Sequence, residues 1–270
     1  MTERRSWWLP LRGIVAREVL RLVHQRERLV AALVRPLIWL LVFAAGFRAV
    51  LGISIIPPYE TYITYEVYVL PGLVGMVQLF NGMQSSLSMI YDREMGSMRV
   101  LLVSPYPRWF LLSAKLLAGT VLSILQVYAF LLVAAAFDVV VPPSGYAFVL
   151  PALLATGMML GALGMLLSSL IRQLENFAGI MNFVIFPMFF LSSALYPLWR
   201  MRESSELLYA ICSLNPFTYA VELIRFAFYG RPEPLATAVV LGCLFVLLLL
   251  SFRAYDPARG FLPMRRGAPE

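Results

Sequence analysis

Six apolar stretches of about 20 residues or more recur along the sequence, and the charged residues lie between them. A helix that crosses the hydrocarbon core of a bilayer, about 30 Å thick, needs about 20 such residues. Of the 270 residues, 60% are apolar and 14% are charged, against roughly 45–50% and 25% in globular proteins. We therefore predict an all-α integral membrane protein with six transmembrane helices and little room for a soluble catalytic domain. The predicted spans lie at about 29–51, 67–90, 109–137, 145–171, 177–198 and 234–252.

The positions of the basic residues predict how these spans are oriented. If the N-terminus is inside, 17 of the 22 Lys and Arg residues lie in cytoplasmic segments, as the positive-inside rule requires. Both termini are then cytoplasmic. The predicted organisation is a cytoplasmic N-terminus at 1–28, a six-span transmembrane domain at 29–252 and a cytoplasmic tail at 253–270.

The segment before the first span has the pattern of an amphipathic helix. Apolar residues recur at helical spacing from Leu11 to Val23, and Arg12, Arg17 and Arg21 fall on the other face. Such a basic helix is expected to lie along the inner membrane surface, with its arginines among anionic head groups. A simple topology anchor is the alternative.

The cytoplasmic loop after the second span, residues 91–105, is charged at its start and apolar later, and Pro105 ends it. This pattern predicts a short amphipathic helix that docks into a groove on a partner. An ordinary connecting loop is the alternative.

The outer segment from Trp199 to Pro234 contains an apolar run that is too short to cross a bilayer. Asn215 and Pro216 have the residue types of an N-cap and a first helical position, and Glu222 can pair with Arg225 at i, i+3. The pattern predicts two short re-entrant helices that dip into the outer leaflet before the last span. A surface helical hairpin is the alternative.

Polar residues inside the spans are candidates for the translocation path, because intramembrane polar groups usually face protein or a water-filled cavity. The alternative for each is a hydrogen bond that holds two helices together. Gly157 and Gly161 form a GxxxG pattern on the fourth span, with Gly164 one turn further. The path candidates are Asn81, Gln84, Gln126 and Asn182.

The residue inventory argues against several kinds of site on this chain. The single histidine, His24, and two cysteines, Cys212 and Cys243, provide no metal-ligand spacing. The only lysine, Lys115, follows Ala114 and precedes Leu116, so the Gly-Lys-Ser/Thr of a P-loop does not occur. We expect no cofactor, metal or ATP site on this chain, no enzymatic activity of its own and no nucleic-acid partner.

These segments, in this order around six spans, resemble the permeases of type 2 ABC exporters, which serve drug, lipid, nodulation-factor and polysaccharide export. The resemblance covers nearly the whole chain. Its most specific parts are the loop Arg93–Pro105, similar to the family's acidic-x-Gly-small…Leu-Leu-x-x-Pro pattern, and Asn215-Pro216-Phe217-Thr218-Tyr219 before the last span. Lys115 matches a basic residue often found early in the third span, whereas Met98 departs from the acidic residue of many relatives.

The resemblance implies roles for these segments and for partner chains. The loop would be the coupling helix that engages an ABC ATPase, expected in two copies, which would hold the ATP and Mg. A second permease copy or a homologue would complete the path for a small amphiphilic, drug-like or lipid-like substrate. Separately, the predominance of Arg among the basic residues indicates a GC-rich bacterial genome, and so a bacterial inner membrane. Coupling would involve Glu94, Gly96, Arg99, Leu102 and Pro105, with a smaller contact at Arg172 and Glu175, and the outer gate would involve Asn215, Pro216 and Tyr219.

Two other classes of membrane protein provide alternative interpretations. An ion-coupled secondary transporter normally has an ionisable residue or broken helices near the midplane. An intramembrane enzyme needs a nucleophile with a base, or a metal cluster, at membrane depth. The sequence shows neither pattern within its six predicted spans.

Overall fold

The described part of the chain folds into helices. The computed structural model describes residues 7–24, 30, 34–42, 57–61, 63–94, 106–171 and 174–254. The prediction of an all-α protein is confirmed for these residues. Their helices are α1 (Trp8–His24), α2 (34–42), α3 (Tyr65–Glu94), α4 (Arg108–Ala136), α5 (Gly145–Leu170), α6 (Leu174–Phe190), α7 (Leu198–Ser204), α8 (Glu206–Leu214), α9 (Pro216–Phe228) and α10 (Pro234–Ala254).

Three of the described helices are long and apolar enough to cross a bilayer, namely α4, α5 and α10. The helices α8 and α9 are bent by 76° and would make a fourth if counted as one broken span. The predicted span at about 67–90 lies within α3, which is 30 residues long. Only part of the first predicted span is described. The chain is thus a multi-pass membrane protein, and six spans remain a prediction.

The fifth predicted span, at about 177–198, is helical only as far as Phe190. The chain then turns, because the Ser192 hydroxyl donates to the Phe189 carbonyl at 2.6 Å and accepts from the Ala194 amide at 3.2 Å. Pro197 precedes the next helix, α7. The apolar residues that extended the predicted span therefore belong to this turn.

The centre of the fold is α3, which packs against α4, α5, α6 and α9. Its contact with α5 is close because both helices present glycine. A Cβ atom on Gly82 would lie 2.9 Å from the Gly161 nitrogen, and one on Gly164 would lie 2.8 Å from the Gly82 carbonyl oxygen. Gly164 thus faces α3, whereas a Cβ on Gly157 or Gly161 would first meet Thr120 or Leu116 of α4. The small residues of the fourth span allow close contact with both neighbours, as small residues do between membrane helices.

A buried hydrogen-bond network crosses the same interface. The Gln78 amide donates to the Leu153 carbonyl at 2.7 Å, and the Thr156 hydroxyl donates to the Gln78 carbonyl oxygen at 2.6 Å. Gln78 lies near the middle of α3 and Thr156 near the middle of α5. The two helices are therefore joined halfway along the bundle.

Candidate functional site

The amphipathic helix α1 lies against the first turn of α4. Trp7 stacks on Trp109 with ring centroids 5.9 Å apart, and it meets the edges of Phe110 at 4.9 Å and Tyr106 at 5.7 Å. Along α1, the predicted apolar positions from Leu11 to Val19 are half-buried. The interfacial helix is thus attached to the end of the bundle where the coupling segment joins α4.

The arginines predicted for this interfacial helix belong to α1. The side chains of Arg12 and Arg17 are exposed, and Arg17 pairs with the neighbouring Glu18 at 3.3 Å. Arg21 belongs to α1 by its backbone. The charged face of α1 is therefore on the solvent side of its contact with α4.

The coupling segment itself is positioned only by its two ends. Helix α3 continues beyond the predicted span and has Glu94 as its last residue, and the described chain resumes at Tyr106. Glu175 belongs to α6 by its backbone. The other predicted coupling residues, Gly96, Arg99, Leu102, Pro105 and Arg172, lie outside the described residues.

At the opposite end of the bundle, Asn215 links two helices. Its side-chain carbonyl accepts from the Phe217 amide at 2.9 Å, which caps α9, and Pro216 follows at the first helical position. Its amide donates to the carbonyls of Met188 at 2.8 Å and Leu191 at 2.6 Å. The predicted N-cap is confirmed, and the same side chain also holds α9 against the end of α6.

The predicted Glu222–Arg225 pair is present, with 2.5 Å between the carboxylate and the guanidinium. Arg225 lies in the predicted outer segment, but its side chain is buried rather than on the surface. It is 2% exposed, because it also donates to the Ser193 carbonyl at 2.9 Å and lies 4.1 Å from the centroid of the Tyr68 ring. Its carbonyl and aromatic partners come from the α6–α7 turn and from α3. The i, i+3 spacing predicted the ion pair, but no local signal identified these distant partners.

A cavity of about 370 Å³ opens beside this pair. Its volume is within the roughly 300–1,000 Å³ of small-molecule sites. The predicted gate residue Tyr219 is in its wall, together with Tyr68, Trp199 and Phe226. The charged groups of the lining are Glu222, Arg225 and Glu233.

The four candidates for the path lie in different environments. Asn182 is exposed on α6 and Gln84 is half-buried on α3. Each lies one turn from a member of the Phe80–Phe186 contact, in which the ring centroids are 6.5 Å apart. The other two candidates are more enclosed: Gln126 is 3% exposed, and the Asn81 side-chain nitrogen is buried and has no acceptor among the described residues.

Sequence reasoning missed one charged member of this region. The Arg35 guanidinium lies 3.8 Å from the centroid of the Phe80 ring. Arg35 is near the start of the predicted first span, and the count of 17 cytoplasmic basic residues includes it. The apolar stretch around it, 29–51, was the available signal that it could lie within the membrane.

The comparisons with known proteins cover most of this architecture. The profile of the ABC-2 type transporter family matches residues 11–229. A putative transport permease, ycf38, of Cyanophora paradoxa is 30% identical over 220 residues, which are 80% of this chain and 72% of the relative. The protein of the same name from Porphyra purpurea is 28% identical over 222 residues, 81% and 73% of the two chains. Nodulation protein J of Neorhizobium galegae is 30% identical over 105 residues, 39% of this chain and 38% of the relative. The predicted resemblance is confirmed, and the chain belongs to the ABC-2 type transporter family as a membrane subunit.

Proposed function

We propose that this chain is the permease subunit of an ATP-driven exporter and that a separate ATPase supplies the energy. The observation that carries the proposal is the attachment of α1 to the start of α4 through Trp7, Trp109 and Phe110. This contact lies where the segment 95–105 enters α4. An ATPase docked on that segment would act on α3, α4 and α1 together.

Helix α3 would transmit the movement to the outer end. Its 30 residues correspond to about 45 Å at 1.5 Å per residue. At the end far from the coupling segment, the hydroxyls of Tyr65 and Tyr68 donate to the carbonyls of Leu195 at 2.8 Å and Ser193 at 3.1 Å. A tilt of α3 would therefore displace the α6–α7 turn, which also accepts the hydrogen bond from Arg225.

The outer gate would consist of α8 and α9, with Asn215, Pro216 and Tyr219 at its moving part. Asn215 connects α9 to the end of α6. Displacement of the α6–α7 turn would therefore move α9 together with the end of α6. The aromatic wall of the adjacent cavity suits a substrate with an apolar body. A small amphiphilic, drug-like or lipid-like molecule is the substrate class that we propose.

The complete transporter would contain two ATPase subunits with bound ATP and Mg, and a second permease copy or a homologue. We place it in a bacterial inner membrane because 21 of the 22 basic residues are Arg, a bias that GC-rich bacterial genomes favour. Glu94, Gly96, Arg99, Leu102 and Pro105 would contact the ATPase, with Arg172 and Glu175 making a second contact.

The test is transport by the chain reconstituted in proteoliposomes with the ATPase encoded beside it, using a fluorescent short-chain phospholipid as the probe. We expect ATP-dependent movement of the probe. The substitutions E94Q and G96A should abolish most of this movement while membrane insertion and ATP hydrolysis persist. E203Q, in α7 and exposed at the other end of the bundle, is the matched control. Flux driven by an ion gradient alone, without ATP, would contradict the proposal.

A further inference from the structure

Arg35 lies halfway along the helical bundle. Its guanidinium is over the ring of Phe80, and Phe80 is close to the midpoint of α3. Gln78, two residues earlier, is bonded to Leu153 and Thr156 near the midpoint of α5. At 1.5 Å per residue, Phe80 is about 20 Å from either end of α3. Since α5 is long and apolar enough to cross a bilayer and the half-thickness of the hydrocarbon core is about 15 Å, a guanidinium level with the middle of α5 lies deep in the membrane.

An arginine at this depth requires a polar environment or an anionic partner, because a charged side chain in hydrocarbon is costly. Among the described residues, no carboxylate lies within 4.0 Å of the Arg35 guanidinium. The Phe80 ring covers one face of the guanidinium. The N–H groups of the guanidinium point outward in its plane, so the ring does not accept hydrogen bonds from them. Arg35 is an exposed residue, so these donors remain available to another molecule.

Arg35 lies near two of the residues predicted to line the translocation path, Gln84 and Asn182. Phe80 meets Phe186 of α6, and Gln84 and Asn182 lie one helical turn from these two rings. Phe186 and Asn182 are both exposed in the isolated chain. This surface thus combines one fixed positive charge with neutral amides and aromatic rings, and its described side chains include no acid.

We propose that Arg35 binds the anionic headgroup of the transported amphiphile when the substrate is halfway across the membrane. The proposal rests on the permease function given above and specifies the charge of its substrate. A planar guanidinium can donate two parallel hydrogen bonds to a phosphate, sulfate or carboxylate. The Phe80 ring holds the guanidinium in place by a cation–π contact, which leaves the edge of the cation for the headgroup.

The binding test uses the complete chain in nanodiscs of zwitterionic lipid and three probes with the same alkyl chain: dodecyl phosphate, dodecylphosphocholine and dodecyltrimethylammonium. Calorimetric titration, corrected with empty nanodiscs, should show the tightest binding for dodecyl phosphate. R35Q should weaken that binding about tenfold, the scale of one charge-assisted pair, and R35K should retain the preference for the anion. R202Q, which removes an exposed arginine of α7 that also lies over an aromatic ring, that of Tyr209, is the matched control. Equal binding of dodecyl phosphate by R35Q and the parent chain would overturn the proposal.

Two further measurements keep the result interpretable. F80A is the variant to use if R35Q does not insert in the membrane. It retains the charge and removes the ring, so it should weaken binding of dodecyl phosphate several-fold. Unchanged binding by F80A would count against the proposed geometry. ATP-driven transport of dodecyl phosphate is then measured with the partner ATPase. If R35Q loses binding but the parent chain shows no ATP-driven transport, the headgroup site is supported and the exporter function is contradicted. If ATP-driven transport continues unchanged in R35Q, the exporter function is supported and the headgroup site is contradicted.

Discussion

The contact between α3 and α5 predicts that Gly82→Ala destabilises the protein although alanine is the better helix former. The new Cβ would lie 2.9 Å from the Gly161 nitrogen and 3.0 Å from its Cα atom. Both neighbours are backbone atoms, so the helices must separate until the 2.9 Å distance reaches the 3.4 Å of an ordinary contact. Overpacking of this kind costs about 1–3 kcal/mol.

Gly242→Ala is the matched control because Gly242 lies inside α10 and a Cβ there meets nothing within 4 Å. Both variants gain the same helix propensity, about 1 kcal/mol, which cancels when they are compared with each other. Gly82→Ala should therefore unfold about 1–3 kcal/mol more easily than Gly242→Ala. Unfolding is followed by tryptophan fluorescence while sodium dodecyl sulfate is added to the protein in a maltoside detergent. If Gly82→Ala were as stable as Gly242→Ala, the close approach of α3 and α5 would be wrong.

Two other substitutions test the polar contacts. Thr156→Val removes the hydroxyl that donates to the buried Gln78; it should cost about 1–2 kcal/mol in the same assay. Thr237→Val, which removes only a hydroxyl that donates to the Glu233 carbonyl just before α10, should cost less, and an equal loss would argue against the Gln78 contact. Asn215→Ala removes a helix cap and two bonds to the end of α6, so it should cost at least about 1 kcal/mol and accelerate protease cleavage after residues of α8. Ser205→Ala, at the exposed cap of α8, is its control, and equal cleavage of both variants would contradict the bridging role of Asn215.

Local patterns were sufficient where structure depends on neighbours in the sequence. The two faces of α1 follow from the 3.6-residue period of a helix, and two of the arginines predicted for its polar face, Arg12 and Arg17, are exposed. The cap at Asn215 follows from its own side chain and the proline after it. The end of α6 was predicted less well, because apolar residues continue beyond Phe190 and only the hydrogen bonds of Ser192 reveal the turn.

The sequence by itself determined the class of protein, its helical character and its family, because these depend on the length of apolar runs and on motifs in order. The tertiary structure decided which surfaces those helices share. It buried Arg225 against Tyr68 and placed Arg35 over Phe80, contacts between residues that are far apart in the chain. A hydropathy pattern indicates which residues lie within the membrane, but it does not indicate which residues of other helices they contact. The charge available to a substrate inside the membrane therefore becomes visible only when the helices are packed.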